Sequence, residues 1–142
     1  MDPLHLCLLL LGFAPCALAN FWVFSAHWHH SNGFMFFNCD TVNDATWWDA
    51  SGDVSGGKKG VRVVGPANDP DTFEANVLSV HWTYYKARGQ KIYDLSGKDH
   101  GFCRPIGGVT NACAYEIQSI FHCSSDYTAE EMGKPGYQTG PP

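Results

Sequence analysis

The stretch NVLSVHWTYY, residues 76–85, decides the fold class, because its apolar side chains recur at every second residue. Leu78, Val80, Trp82 and Tyr84 fall on one face of an extended chain, with Ser79, His81 and Thr83 on the other. That period of two marks a half-buried β-strand, which β-branched and aromatic residues suit. Ala87-Arg88-Gly89-Gln90 reads as a turn, and residues 91–95 (KIYDL) return as the second arm of a hairpin.

Outward from this hairpin the same pattern recurs. Residues 20–29 set Trp22, Phe24, Ala26 and Trp28 against Phe21, Val23, Ser25, His27 and His29. Ser31-Asn32-Gly33 reads as a turn, and residues 34–39 as the returning strand. Asp40 reads as the cap of a short helix through Trp48, with Asp44 in its first turn. Residues 61–64 form a short strand between a Gly, Ser and Lys loop at 51–60 and a Pro- and Asp-rich loop at 65–72. The last strand, residues 113–123, buries Cys113, Tyr115, Ile117 and Phe121 while Glu116 and Gln118 face water. Residues 124–142 lose periodicity and read as a disordered tail. The expected fold is all-β: a disulfide-stapled small β-sandwich or barrel of six to seven short strands.

Residues 1–19 set the compartment. An apolar run ends in Ala17-Leu18-Ala19, the A-x-A pattern of a signal peptide cleaved before Asn20. The run is short for a bilayer span, which needs about 20 apolar residues, so no membrane anchor is expected after cleavage. The expected organisation is therefore a leader at 1–19, a secreted β-domain at 20–123 and the tail. The mature chain would hold 123 of the 142 residues, enough for one domain.

Export also sets the cysteine chemistry. Cys39, Cys103, Cys113 and Cys123 remain after cleavage, an even set in an oxidising compartment, and read as two disulfides. Three pairings are open to them. We expect Cys103–Cys113 to close a local loop and Cys39–Cys123 to join early and late strands. Zinc ligation would need a C-x2-C-like spacing, which is absent. The formal net charge is −5, and no basic run exceeds Lys58-Lys59, which argues against a nucleic-acid carrier.

Several constellations bear on chemistry. His27 and His29 project to one strand face about 7 Å apart, a usable half of a copper or zinc site. Gly52, Gly57 and Lys58 fit most of a phosphate-binding loop, but Lys59 stands where Ser or Thr must hold magnesium, so that reading fails. Asp49, Ser51 and Asp53 open like an EF-hand whose Gly position is Val54, and Asp69, Asp71 and Glu74 offer oxygen ligands in an irregular loop. Trp47 and Trp48, beside the Gly-rich loop, are the first candidates for stacking on sugar rings, followed by Tyr85 and Tyr93.

Two resemblances add to this. Lys59-Gly60-Val61-Arg62-Val63-Val64, followed by His81, resembles the Arg-bearing strand of the secreted fungal guanyl-specific ribonucleases. That resemblance implies acid–base catalysis by His81 with Arg62 and one of His27 or His29, but the Glu that precedes the Arg in that family is absent here. DASGDVSGGKKGVR (49–62), YYKARGQKIYDLSGKDHGFC (84–103) and Phe121-His122-Cys123 together resemble a group of small secreted, cysteine-containing proteins of filamentous fungi. This second likeness spans most of the mature chain and implies an effector-like protein acting at a host or competitor surface. Val63 stands where that group often has a further cysteine.

The reading expected from the sequence is therefore a secreted protein that works by binding a host or cell-surface protein or glycan, with no cofactor. Its partner would meet the loops bearing Trp47, Trp48, Asp49, Asp53, Asp69 and Asp71, since rigid scaffolds usually present function on loops. The rivals are a ribonuclease-like or other hydrolase and a copper or zinc protein.

Overall fold

In the computed structural model the decisive stretch contributes two strands, not one. The structure describes residues 20–28, 31–38, 41–106, 109–112 and 115–132. The strands are β1 (Asn20–Trp28), β2 (Ser31–Asn38), β3 (Thr41–Asp49), β4 (Gly60–Val64), β5 (Thr72–Val77), β6 (Val80–Tyr85), β7 (Lys91–Asp94), β8 (Asp99–Pro105), β9 (Val109–Ala112) and β10 (Tyr115–Ser125). Val77 pairs directly with Val80, so Leu78 and Ser79 form a two-residue hairpin loop, with Leu78 at φ 37°. The alternation beyond it holds: Val80, Trp82 and Tyr84 are buried.

All the paired strands are antiparallel and form a single sheet in the order β3-β2-β1-β10-β8-β7-β6-β5-β4, with β9 pairing β10. The two ends of this path meet through the Ala50–Val61 bridge and a 2.7 Å hydrogen bond from the Ser51 amide to the Val61 carbonyl. The sheet therefore nearly closes into a barrel around one aromatic core. Phe73 stacks on Trp82 (5.7 Å between centroids) and meets Phe121 edge-on (5.5 Å), while Tyr84 lies 4.4 Å from Phe121. Burying each such ring contributes roughly 1.5–3 kcal/mol. Between Val23 and Phe24 the register with β10 skips Ile120, a bulge that lets both Ile120 and Phe121 be buried.

The all-β class and a disulfide are as expected, but several local expectations are corrected. Residues 41–49 (TVNDATWWD) form β3 rather than a helix, because Thr, Val and paired Trp suit a pleated surface better than a helical one. Ser31-Asn32-Gly33 begins β2 rather than turning. Asp99–Pro105 and Val109–Ala112 bring the count to ten strands among the described residues; the Gly, Pro and charged residues of the first hide any alternation, and the second is only four residues long. The disulfide joins Cys103 to Cys123, not Cys103 to Cys113 or Cys39 to Cys123. These two residues face each other in register on β8 and β10, with Cα atoms 3.9 Å apart, so the bridge ties adjacent strands. Cys39, Cys113 and residues 1–19 lie outside the described residues.

The domain also continues past Cys123. Ser125 and Tyr127 are buried, and a short helix α1 (Ala129–Met132) inserts the fully buried Met132 into the core. Residues 124–132 are thus part of the fold, and residues 133–142 lie outside the described residues. Gly101, at φ +123°, lets β8 approach β10; a Cβ there would run into the Ser124 carbonyl oxygen.

Candidate functional site on the outer wall

Because Val61, Phe73, Ala75, Trp82, Tyr84, Ile92 and Cys103 point inward, their strand neighbours form an outer wall. Two sections of that wall carry chemistry. On β4, β5 and β6, Arg62 stands opposite Glu74 in register, and its Nε donates to Glu74 Oε1 at 3.2 Å. His81 Nε2 lies 3.4 Å from the other oxygen, Oε2. The side chains of Glu74 and His81 are 19% and 20% exposed, so solvent screens the trio only partly. The next strand therefore sets a carboxylate beside Arg62, a pairing the sequence pattern gave no reason to expect.

This trio brings His81 and Arg62 together but not the third expected member. His27 lies at one mouth of the barrel, where Ser25, Asn32, Phe34, Ala67 and Gln118 help line a cavity of about 280 Å³. Its Nδ1 is 2.6 Å from Asn32 Oδ1. His29 lies outside the described residues. In-line phosphoryl transfer needs a base and an acid on opposite sides of the reacting atom. At 3.4 Å, Glu74 and His81 leave no space for a phosphate between them. Among the described residues no group of three His, Cys, Asp or Glu could hold a metal ion.

The loop candidates are largely engaged within the protein. Trp48 is a core residue, 1% exposed, and donates from Nε1 to the Met132 carbonyl at 2.8 Å, which corrects its assignment to the surface. The side chains of Trp47 and Asp49 lie outside the described residues; their backbones pair with Met35 and Gly33. Asp53 accepts from the Ser55 amide and hydroxyl (2.9 and 2.6 Å) and from Lys58 (3.0 Å). Those hydrogen bonds, Ser55 first, hold its carboxyl well below the usual range. Asp69 accepts from Lys86 Nζ at 2.7 Å, and the Asp71 carbonyl accepts from the Lys86 amide at 3.0 Å, fastening loop 65–71 to the turn that follows β6.

The second section lies on β6, β7 and β8. Tyr85 and Tyr93 have ring centroids 6.0 Å apart, and the Arg88 guanidinium lies over both, at 4.6 and 5.5 Å. Arg88 belongs to a 3-10 turn (Lys86–Arg88) closed by Gly89 at φ 69°. Two strands away Phe102 is 40% exposed, with the Arg104 guanidinium 5.9 Å from its ring. Beside Arg104, His122 stacks on Trp22 at 4.5 Å and is held below its ordinary pKa by burial and then by Arg104. Tyr85 and Tyr93 are the secondary sugar-stacking candidates of the sequence. Arg88, Phe102 and Arg104 were missed: the first was read only as part of a turn, the others lie on an unexpected strand.

This wall is pinned below by a clamp. His100 on β8 sits between Asp94 Oδ2 and Asp126 Oδ1, each 2.8 Å away, and stacks on Tyr127 at 4.3 Å. Burial pulls the imidazole pKa down, but the hydrogen bonds and charges of Asp94 and Asp126 outweigh it, and the net shift is upward. No protein-family model matches the chain, and neither does any curated protein or any solved structure.

Proposed function

We propose that this protein is an exported, effector-like binding domain of fungal type, acting on a partner at a host or cell surface. The observation that carries the reading is the Tyr85–Tyr93–Arg88 cluster with Phe102 and Arg104 beside it. Tyrosine and arginine dominate the energetics of binding surfaces, and here they stand on hydrogen-bonded strands rather than on a mobile loop. The leader pattern at residues 1–19 supports export, and no helix among the described residues is long and apolar enough to cross a membrane.

The test is retention of fluorescently labelled protein on intact cell surfaces. Replacing Tyr85 and Tyr93 together by Ala should lower retention at least about tenfold while the melting temperature stays near wild type. Retention no greater than that of an equally acidic control protein would sink the reading. His81→Ala should leave retention unchanged. RNA cleavage that disappears with His81→Ala would put the hydrolase in its place.

A further inference from the structure

We infer that the belt formed by Arg88, Tyr85, Tyr93, Phe102 and Arg104 binds an acidic polysaccharide, guanidiniums holding sugar carboxylates and rings lying against pyranose faces. The inference rests on the binding reading and adds the chemistry of the partner.

The first support is a contrast in pairing. Lys58, Lys86 and Lys91 each donate to an Asp, at 3.0, 2.7 and 2.7 Å, and Arg62 donates to Glu74 at 3.2 Å. Arg88 and Arg104 are exposed, and neither meets a carboxylate among the described residues. In a chain of net charge −5, two uncompensated guanidiniums on one wall complement an anionic partner. A guanidinium seated on a ring keeps its N–H edge for a planar anion and is already held in place, so binding costs little side-chain entropy.

The second support is spacing. Tyr85 pairs with Lys91, and Lys91 with Phe102, so the two aromatic positions stand two strands apart. Two strand spacings are about 10 Å, comparable to the disaccharide repeat of an extended polysaccharide. Each position has a ring and a guanidinium together, the pattern a polymer of sugar acids presents.

The experiment is calorimetric titration of the purified full chain with oligogalacturonate at low ionic strength. Binding should weaken as salt is raised, and a cello-oligosaccharide of the same length should bind at least about tenfold more weakly. Replacing Arg88 and Arg104 together by Gln should lower affinity at least about tenfold with the melting temperature unchanged, and Lys at both positions should restore only part of it. Arg104→Gln alone, at an exposed position, keeps the test readable if the double variant unfolds. Equal affinity for the neutral oligomer, full affinity in the Gln variants, or tighter binding of polyuridylate would overturn the inference. No oligogalacturonate binding with surface retention intact would overturn this inference alone; loss of both would remove the binding reading as well.

Discussion

Two sections of one wall use the same residue type in opposite ways. On β4 and β5, Arg62 is spanned by a carboxylate 3.2 Å away, and the same carboxylate also meets His81. On β6 to β8, Arg88 and Arg104 rest on aromatic rings at 4.6 and 5.9 Å. An arginine facing a carboxylate has a donor engaged and its charge compensated. One lying on a ring keeps both for another molecule, because a π-face satisfies no N–H edge. The first section is built for its neighbours and the second for a visitor.

Both sections are walls over one core, and the strongest test of their difference is to disturb that core. Trp48→Ala removes a fully enclosed ring and its hydrogen bond to Met132, and should cost about 3–5 kcal/mol in denaturant unfolding. A single transition is expected; two would mean the walls melt separately and the comparison describes two units. Next in size is the bridge. Replacing Cys103 and Cys123 by Ser opens a link across 20 residues and should cost about 3 kcal/mol. Since β8 carries Phe102 and Arg104, retention on cell surfaces should fall with it while the Arg62–Glu74 pair is left intact.

How far the sequence reveals this depends on distance along the chain. Val80, Trp82 and Tyr84 announce their strand because alternation is local. The Leu78-Ser79 turn escaped notice since neither residue is a usual turn former, and Leu78 adopts positive φ under the pull of pairing on both sides. Glu74 was visible only as a loop acid. Its place between Arg62 and His81 comes from cross-strand register, which no periodicity encodes. Trp48 looked like a surface platform because it ends an expected helix beside a Gly-rich loop; on the strand it forms, adjacent tryptophans point opposite ways, and nothing local says which way is in. The tail was misjudged for a similar reason: Tyr127 and Met132 are isolated apolar residues that matter only once a barrel end exists to receive them.

A smaller effect sharpens what holds the belt in place. The His100 pKa is raised above its ordinary 6.5, so the clamp stabilises fully below that value and loses its contribution as pH rises through the higher folded value. Asp94 is shifted the other way, by Ser96, His100 and the Lys98 amide, so its contribution persists until strong acid. Melting temperature should therefore fall across the alkaline side of His100 titration, and His100→Asn should flatten that fall. A wild-type curve with no such slope would detach the clamp from the stability of this wall. Smallest of all, Arg62→Gln should cost no more than about 1 kcal/mol, the range of partly exposed pairs, and leave surface binding untouched. Lost binding in that variant would erase the distinction between the two sections.

The pairing of β1 with β10 has a consequence for how the molecule is made. Asn20 meets Ser124, so the earliest strand to emerge during synthesis finds its second neighbour only when nearly the whole domain has been translated. Until then β1, β2 and β3 have only one another to pair with, and the face they bury in the finished fold (Phe21, Val23, Phe34, Phe36) has nothing to lie against. Such long-range closure folds slowly and leaves apolar surface open to aggregation. The nascent chain therefore stays unfolded and threadable for most of its synthesis, and a holding chaperone should raise its yield more than an oxidant would.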